Sequence, residues 1–229
     1  MFIPIHDNTP LKVIRFQFVT LTIIIANVAV FLATGAFSAS QTLNAVAAGF
    51  GVMPGEITGL AIPVPAYVPV PPPVTLITYM FLHAGWWHLI SNLIFLWVFA
   101  DNVEDAYGSI AFGFFYLVSG VAGGLVHIVM SPASLDPLIG ASGAISGVLG
   151  AYVLLFPKAR VWILLFMRLP LRIGALWVLG GWFLLQIAYV FLVPADGQAV
   201  AWWAHIGGFV SGLVITFLLR NRLLIRMGA

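Results

Sequence analysis

Long apolar runs dominate the chain, and six of them stay free of Lys, Arg, Asp and Glu for 20 to 22 residues: 16–37, 80–100, 109–130, 137–156, 173–193 and 200–219. A helix needs about 20 mostly apolar residues to cross the hydrocarbon of a bilayer, and runs of this length are too long for strands. The pattern predicts an all-α polytopic membrane protein, with six transmembrane helices forming one membrane domain over residues 1–229. The first run is longer than the roughly 7–15 apolar residues of a signal-peptide core, so it is read as a retained helix.

Composition agrees with that pattern. Apolar residues make up 62% of the chain and charged residues 7%, against about 45–50% and about 25% in soluble domains. A soluble globule of this size is excluded, because too few charges exist to cover its surface. The absence of cysteine removes disulfides, thiolate nucleophiles and Cys-based zinc sites from consideration.

The nine basic residues fall into three clusters: Lys12 and Arg15; Lys158, Arg160, Arg168 and Arg172; and Arg220, Arg222 and Arg226. Four apolar runs separate the first cluster from the second, and two separate the second from the third. An alternating path therefore puts every Lys and Arg on one face, which the positive-inside rule makes cytoplasmic. Both termini are expected on that face. The net charge of +2 forms no stripe or patch for nucleic acid, and the expected partner is the lipid bilayer. The expected location is a bacterial inner membrane.

Between the first two runs, segment 38–79 holds seven of the fourteen prolines, Pro54, Pro63, Pro65, Pro69, Pro71, Pro72 and Pro73, and one acid, Glu56. It is expected on the outer side, without a long regular helix, lying partly in the headgroup region. After the second run come Asp101, Asn102, Glu104 and Asp105. Glu104 or Asp105 is expected to cap the helix that follows.

Polar side chains inside membrane spans are costly and often functional. They are His83, His88, Asn92, His127, Ser142, Ser146, Gln186 and His205. The second, fourth and sixth runs all enter from the outer face, and at 1.5 Å per residue His88, Asn92, Ser142 and His205 fall roughly 6–18 Å below their starts. The four converge in the outer half of the membrane. Gly143, Gly147 and Gly150 form a small-residue face, answered by Ala204, Gly208 and Gly212. Close approach of two such faces would bring His205 against Ser142, as a serine nucleophile requires of its base. No acid lies at matching depth, so the residues predict a Ser142/His205 dyad. His88 and Asn92 share one helix face, and with the backbone N–H of Ser142 they supply donors for an oxyanion.

Plainer readings stand beside these. Gly-Ala-Ser-Gly at 140–143 is also what helix packing selects, and His127 fits packing or a bond to a carbonyl. Trp86-Trp87 and Trp202-Trp203 fit an aromatic belt, and Gln186 fits a hydrogen bond between helices. Metal binding by His83, His88 and His205 is disfavoured, because His83 and His88 are five apart and no carboxylate joins them. No metal or other cofactor is expected.

Taken together these residues resemble the rhomboid family of intramembrane serine proteases. The resemblance lies in Phe81-Leu82-His83-Ala84-Gly85-Trp86-Trp87-His88-Leu89 with Asn92 and Asp101-Asn102-Val103-Glu104-Asp105, in GASGAISGVLGAY from Gly140 to Tyr152, and in Ala204-His205-Ile206-Gly207-Gly208. It implies Ser142 as nucleophile, His205 as base, and His88, Asn92 and Ser142 at the oxyanion hole, with the active site toward the outer side. It also implies a substrate that is itself a transmembrane helix, entering sideways. Trp177 resembles a gating position, and the run carrying it, with Gly180-Gly181, is expected to move while Trp177 packs against the second run and closes the slot. Two features depart from the family. A Tyr found in some members one turn below the nucleophile is Ser146 here, and a Trp-Arg pair of the first loop is absent. The alternative is a non-catalytic relative that binds or escorts membrane clients.

Overall fold

The computed structural model describes residues 2–34, 40–61, 70–193 and 200–228. Pro63, Pro65 and Pro69 of the proline-rich segment lie outside them. Strand β1 (Phe2–His6) leads into helices α1 (Phe18–Thr34), α2 (Ser40–Phe50) and α3 (Pro54–Thr58). Short turns, including the four-residue α4 (Thr75–Thr78), precede α5 (Trp86–Tyr107), α6 (Ser109–Met130) and α7 (Ser142–Leu155). A hairpin of β2 (Arg160–Leu165) and β3 (Leu169–Gly174) is followed by α8 (Ala175–Leu192) and α9 (Trp202–Arg226).

Three of these helices, α6, α8 and α9, are long and apolar enough to cross a bilayer. A fourth crossing is available if α5 is joined to the turns at Pro72–Phe81, across a bend of 81°. The apolar runs 16–37 and 137–156 contain shorter helices of 17 and 14 residues. At 1.5 Å per residue α7 is about 21 Å long, short of a hydrocarbon core of about 30 Å. The start of that run is not helical, because Pro137 ends regular bonding and Gly140 adopts φ +121°.

The expectation of an all-α fold is corrected by a three-stranded antiparallel sheet, ordered β1-β2-β3. Its middle strand alternates, with Val161 and Ile163 buried and Arg160 and Trp162 outward, the period of two that marks a half-buried strand. The basic residues around this short alternation read as a polar connection. The edge of β2 away from β3 is satisfied by the chain's own N-terminal segment, with Phe2 opposite Leu165.

The expected cap is also corrected. Glu104 and Asp105 lie in the last turns of α5, buried, and serve the start of the chain. The Glu104 carboxylate accepts the backbone N–H of Val19 at 3.1 Å and of Thr20 at 2.8 Å, which caps α1. From α6 it receives only the Ser109 hydroxyl, at 2.6 Å. Asp105 accepts three successive N–H groups, of Lys12, Val13 and Ile14, at 2.7–2.8 Å. The reason is that α5 stays helical to Tyr107, so its acids reach sideways to the neighbouring N-terminus and not forward.

At the centre α7 is buried along nearly its whole length and lies against α9 with backbones in contact. A Cβ on Gly208 would overlap the Gly143 carbonyl, one on Gly212 the Gly147 carbonyl, and one on Gly150 the Phe209 carbonyl. This is the small-residue approach that the glycine spacing predicts. The segment after α2 is tied to the α6–α7 connection. Val52 pairs with Leu138, Gly55 N–H donates to Ser134 O at 2.8 Å, and the Thr58 hydroxyl donates to Pro132 O at 2.6 Å.

Candidate active site

Ser142 is the first residue of α7, and Ala141 before it offers no side-chain cap. The first N–H groups of α7 therefore lack the partner a capping side chain would supply, and the positive end of the helix dipole lies at the serine. The expected depth of Ser142 within its helix is corrected accordingly: the stretch 137–141 before it is not helical and is fixed by Gly140 N–H to Tyr79 O at 2.9 Å. Gly140 is required there twice over. Its φ of +121° disfavours a side chain, and a Cβ would lie 2.7 Å from His88 Nε2.

His205 enters from the first turn of α9. Its Nε2 lies 2.8 Å from Ser142 Oγ, and its Nδ1 lies 2.8 Å from Gln186 Oε1 on α8. A carboxamide oxygen can only accept, so Nδ1 carries the ring proton and Nε2 presents its lone pair to the serine hydroxyl. Trp182, one turn before Gln186, lies over the imidazole with centroids 5.9 Å apart and planes at 34°. Trp202 meets the same ring edge-on at 6.2 Å.

A cavity of about 420 Å³ collects Ser142, His205, His88, Asn92 and Trp182 on its walls. Ala84 N–H lies 3.4 Å from His88 Nδ1, which leaves the His88 proton on Nε2, as a donor. The Asn92 amide gives one hydrogen to His88 O at 2.8 Å and retains a second. The Ser146 hydroxyl turns back to Ser142 O at 2.6 Å and does not reach His205. The arrangement can deprotonate a hydroxyl at one point and stabilise an anion beside it.

Of the residues singled out from sequence, Ser142, His205, His88 and Asn92 therefore meet around one cavity. Trp177 does not join them. It is the third residue of α8, at the β3 end, and is 77% exposed, so the expected packing against the second run is replaced by Trp182 on the cavity wall. Its side chain points outward because α8 turns Val178, Leu179 and Gln186 inward. Gln186, read from sequence only as a tie between helices, is the partner of the histidine. The available signal was spacing: Trp182 and Gln186 are four apart and share one helix face. Among the described residues no three His, Asp or Glu side chains converge to hold a metal. His83 is buried with both ring nitrogens unpaired, its ring edge-on to His88 at 5.0 Å.

A sequence model described as Rhomboid domain matches residues 72–222, a stretch that contains every residue of the cavity. The chain is similar to Rhomboid protein 1, mitochondrial, of Saccharomyces cerevisiae, with 33% identity over 150 residues that cover 62% of this chain and 40% of that protein. It is similar to RHOMBOID-like protein 6, mitochondrial, of Arabidopsis thaliana, at 31% over 144 residues, 63% of this chain and 43% of that protein. Rhomboid-like protease 3 of Toxoplasma gondii matches at 31% over 139 residues, 61% of this chain and 49% of that protein. The matched stretch thus spans less than half the length of these relatives. All three are eukaryotic and two are named mitochondrial, so the expected bacterial inner membrane gains no support from them, whereas an integral membrane protein does.

Proposed function

Because the chain belongs to the rhomboid family, we propose that it is an intramembrane serine endopeptidase, with Ser142 as nucleophile and His205 as general base. The observation that carries this reading is the 2.8 Å contact between Ser142 Oγ and His205 Nε2, inside a cavity with donors on its far wall. The relative named a protease supports it.

In the proposed reaction Ser142 Oγ attacks the scissile carbonyl carbon while its proton passes to His205 Nε2. The oxyanion that forms accepts hydrogen bonds from Ser142 N–H, His88 Nε2 and the second hydrogen of Asn92. On collapse the C–N bond breaks and His205 returns the proton to the leaving amine, leaving an acyl ester on Ser142. Water then repeats the sequence, giving its proton to His205 and releasing the acid. Gln186 touches no reacting atom and acts as a positioning residue, holding the imidazole in the tautomer that accepts at Nε2.

The substrate in this reading is a single transmembrane helix. It enters between α5 and α8, whose Phe95 and Trp182 both line the cavity. In this reading the chain forms one membrane domain of six crossings, α1 and α7 counted among them. Both termini and the β1-β2-β3 sheet lie on the cytoplasmic side with all nine Lys and Arg, and the active site faces outward.

A serine-directed phosphonate tests the reading. It should label the purified wild-type protein covalently and leave Ser142→Ala and His205→Ala unlabelled. Labelling of Ser142→Ala to the wild-type extent would contradict it.

A further inference from the structure

A second cavity, of about 510 Å³, adjoins the first and shares Ala84, His88, Ile139, Val200 and Ala201 with it. Its own walls differ in electrostatic character. Asp136 brings a carboxylate that has no Lys or Arg within ion-pairing distance among the described residues. His127 also lines it, and the Nδ1 of that ring is buried with no hydrogen-bond partner. Met130 and Ser131 place the C-terminal end of α6 at the wall, where the helix dipole is negative. The nine Lys and Arg are confined to 12–15, 158–172 and 220–226, and none lines this cavity. A carboxylate and a helix C-terminus with no basic residue beside them thus favour one kind of occupant, a side chain that carries positive charge and donates hydrogen bonds.

We propose that this cavity is a subsite for a Lys or Arg side chain of the substrate's outer segment, close to the scissile bond. The proposal rests on the protease reading, which places a peptide at Ser142. Continuity of the two cavities then carries a flanking residue into the second. A space of 510 Å³ is about 8 Å across, the length of two to three extended residues at about 3.3 Å each. The basic residue therefore falls within about four positions of the cut. Glu56 on α3 adds a carboxylate to the same end of the molecule, where its neighbour Gly55 bonds Ser134. An acidic substrate residue in this position meets like charge and no cation to offset it.

The test places Lys, Gln or Glu in turn at each of the four positions on either side of the scissile bond of a membrane-spanning reporter. Cleavage in detergent is followed, and binding of the same reporters to the Ser142→Ala protein is measured in parallel. At one or two adjacent positions kcat/KM should rank Lys above Gln above Glu, spanning about three- to tenfold, as expected for a partly exposed charge pair plus its like-charge counterpart. The spread should shrink as salt is raised. Asp136→Asn should collapse it, and Asp136→Lys should reverse it, while the Gln reporter is cleaved within about twofold of wild type throughout. Equal rates and affinities for Lys and Glu at every position, or a ranking that survives Asp136→Asn, would overturn the subsite. Failure of the protease reading looks different: no reporter would be cleaved, while the charge ranking in binding would persist.

Discussion

Gln186 Oε1 and His205 Nδ1 are 2.8 Å apart, at a site where, among the described residues, no carboxylate lies beside the imidazole. In the proposed reaction the glutamine does the orienting half of what an acid does in a Ser-His-Asp triad, without placing a charge in an apolar span. At 4% exposure Gln186 is shielded from competing water, and Trp182 restricts tilting of the ring.

Removing that acceptor should therefore affect turnover more than binding. Gln186→Leu is expected to lower kcat about 10–10²-fold, a part of the 10²–10⁴ that a positioned base contributes, with KM within about twofold. Gln186→Glu retains an oxygen acceptor and should lose less than tenfold. Steady-state kinetics on a membrane-spanning substrate checks this. A loss confined to KM would reassign Gln186 to substrate contact.

The glycines of α8 and α9 should respond oppositely to a methyl group. Gly212→Ala drives a Cβ into the Gly147 carbonyl, and overpacking of this kind costs about 1–3 kcal/mol. Gly180→Ala meets nothing within 4 Å and should stabilise α8 by about 0.5–1 kcal/mol, the usual cost of glycine in a helix. Thermal or denaturant unfolding in detergent gives the comparison. Equal effects of the two would mean that α7 and α9 are not in backbone contact.

Glu104→Ala should destabilise the fold by about 4 kcal/mol or more, because two backbone N–H groups and the hydroxyls of Thr20 and Ser109 lose one shared acceptor, at about 1–3 kcal/mol for each buried group left unpaired. Glu104→Gln keeps one oxygen and should cost less. Proteolysis within 1–20 should rise in parallel with the loss of stability, since Glu104 holds the start of α1. An unchanged unfolding midpoint would show that α1 needs no such cap.

Much of the site was legible because membrane solvent makes polar residues conspicuous. Ser142, His88, Asn92 and His205 were found by their mere presence in apolar runs, and the glycine spacing brought the right helices together. The range 109–130 coincides with α6 because Gly108 and Ser131 bound an uninterrupted apolar run there. Rules built on helix length fail where the chain bends for function. The run 137–156 has the length of a span, yet its first five residues are not helical. The sheet stayed hidden because six-residue strands among arginines resemble a loop. Gln186, read as a tie between helices, is one, from α8 to His205 on α9, but its partner and the outward turn of Trp177 were not legible, because sequence gives the residues of α8 but not its rotation. That rotation turns Gln186 and Trp182 inward and Trp177 out.

The central claim is that Ser142 and His205 act as one unit on a substrate held in the membrane. Its most direct test reconstitutes wild type, Ser142→Ala, His205→Ala and the double variant in vesicles with a transmembrane-helix reporter, and times the appearance of the cleaved fragment. Cleavage is expected from wild type alone, with the double variant no slower than either single one, since groups that act together are not additive in their loss. Cleavage by Ser142→Ala at a rate comparable to wild type, in a protein whose unfolding midpoint is unchanged, would contradict it.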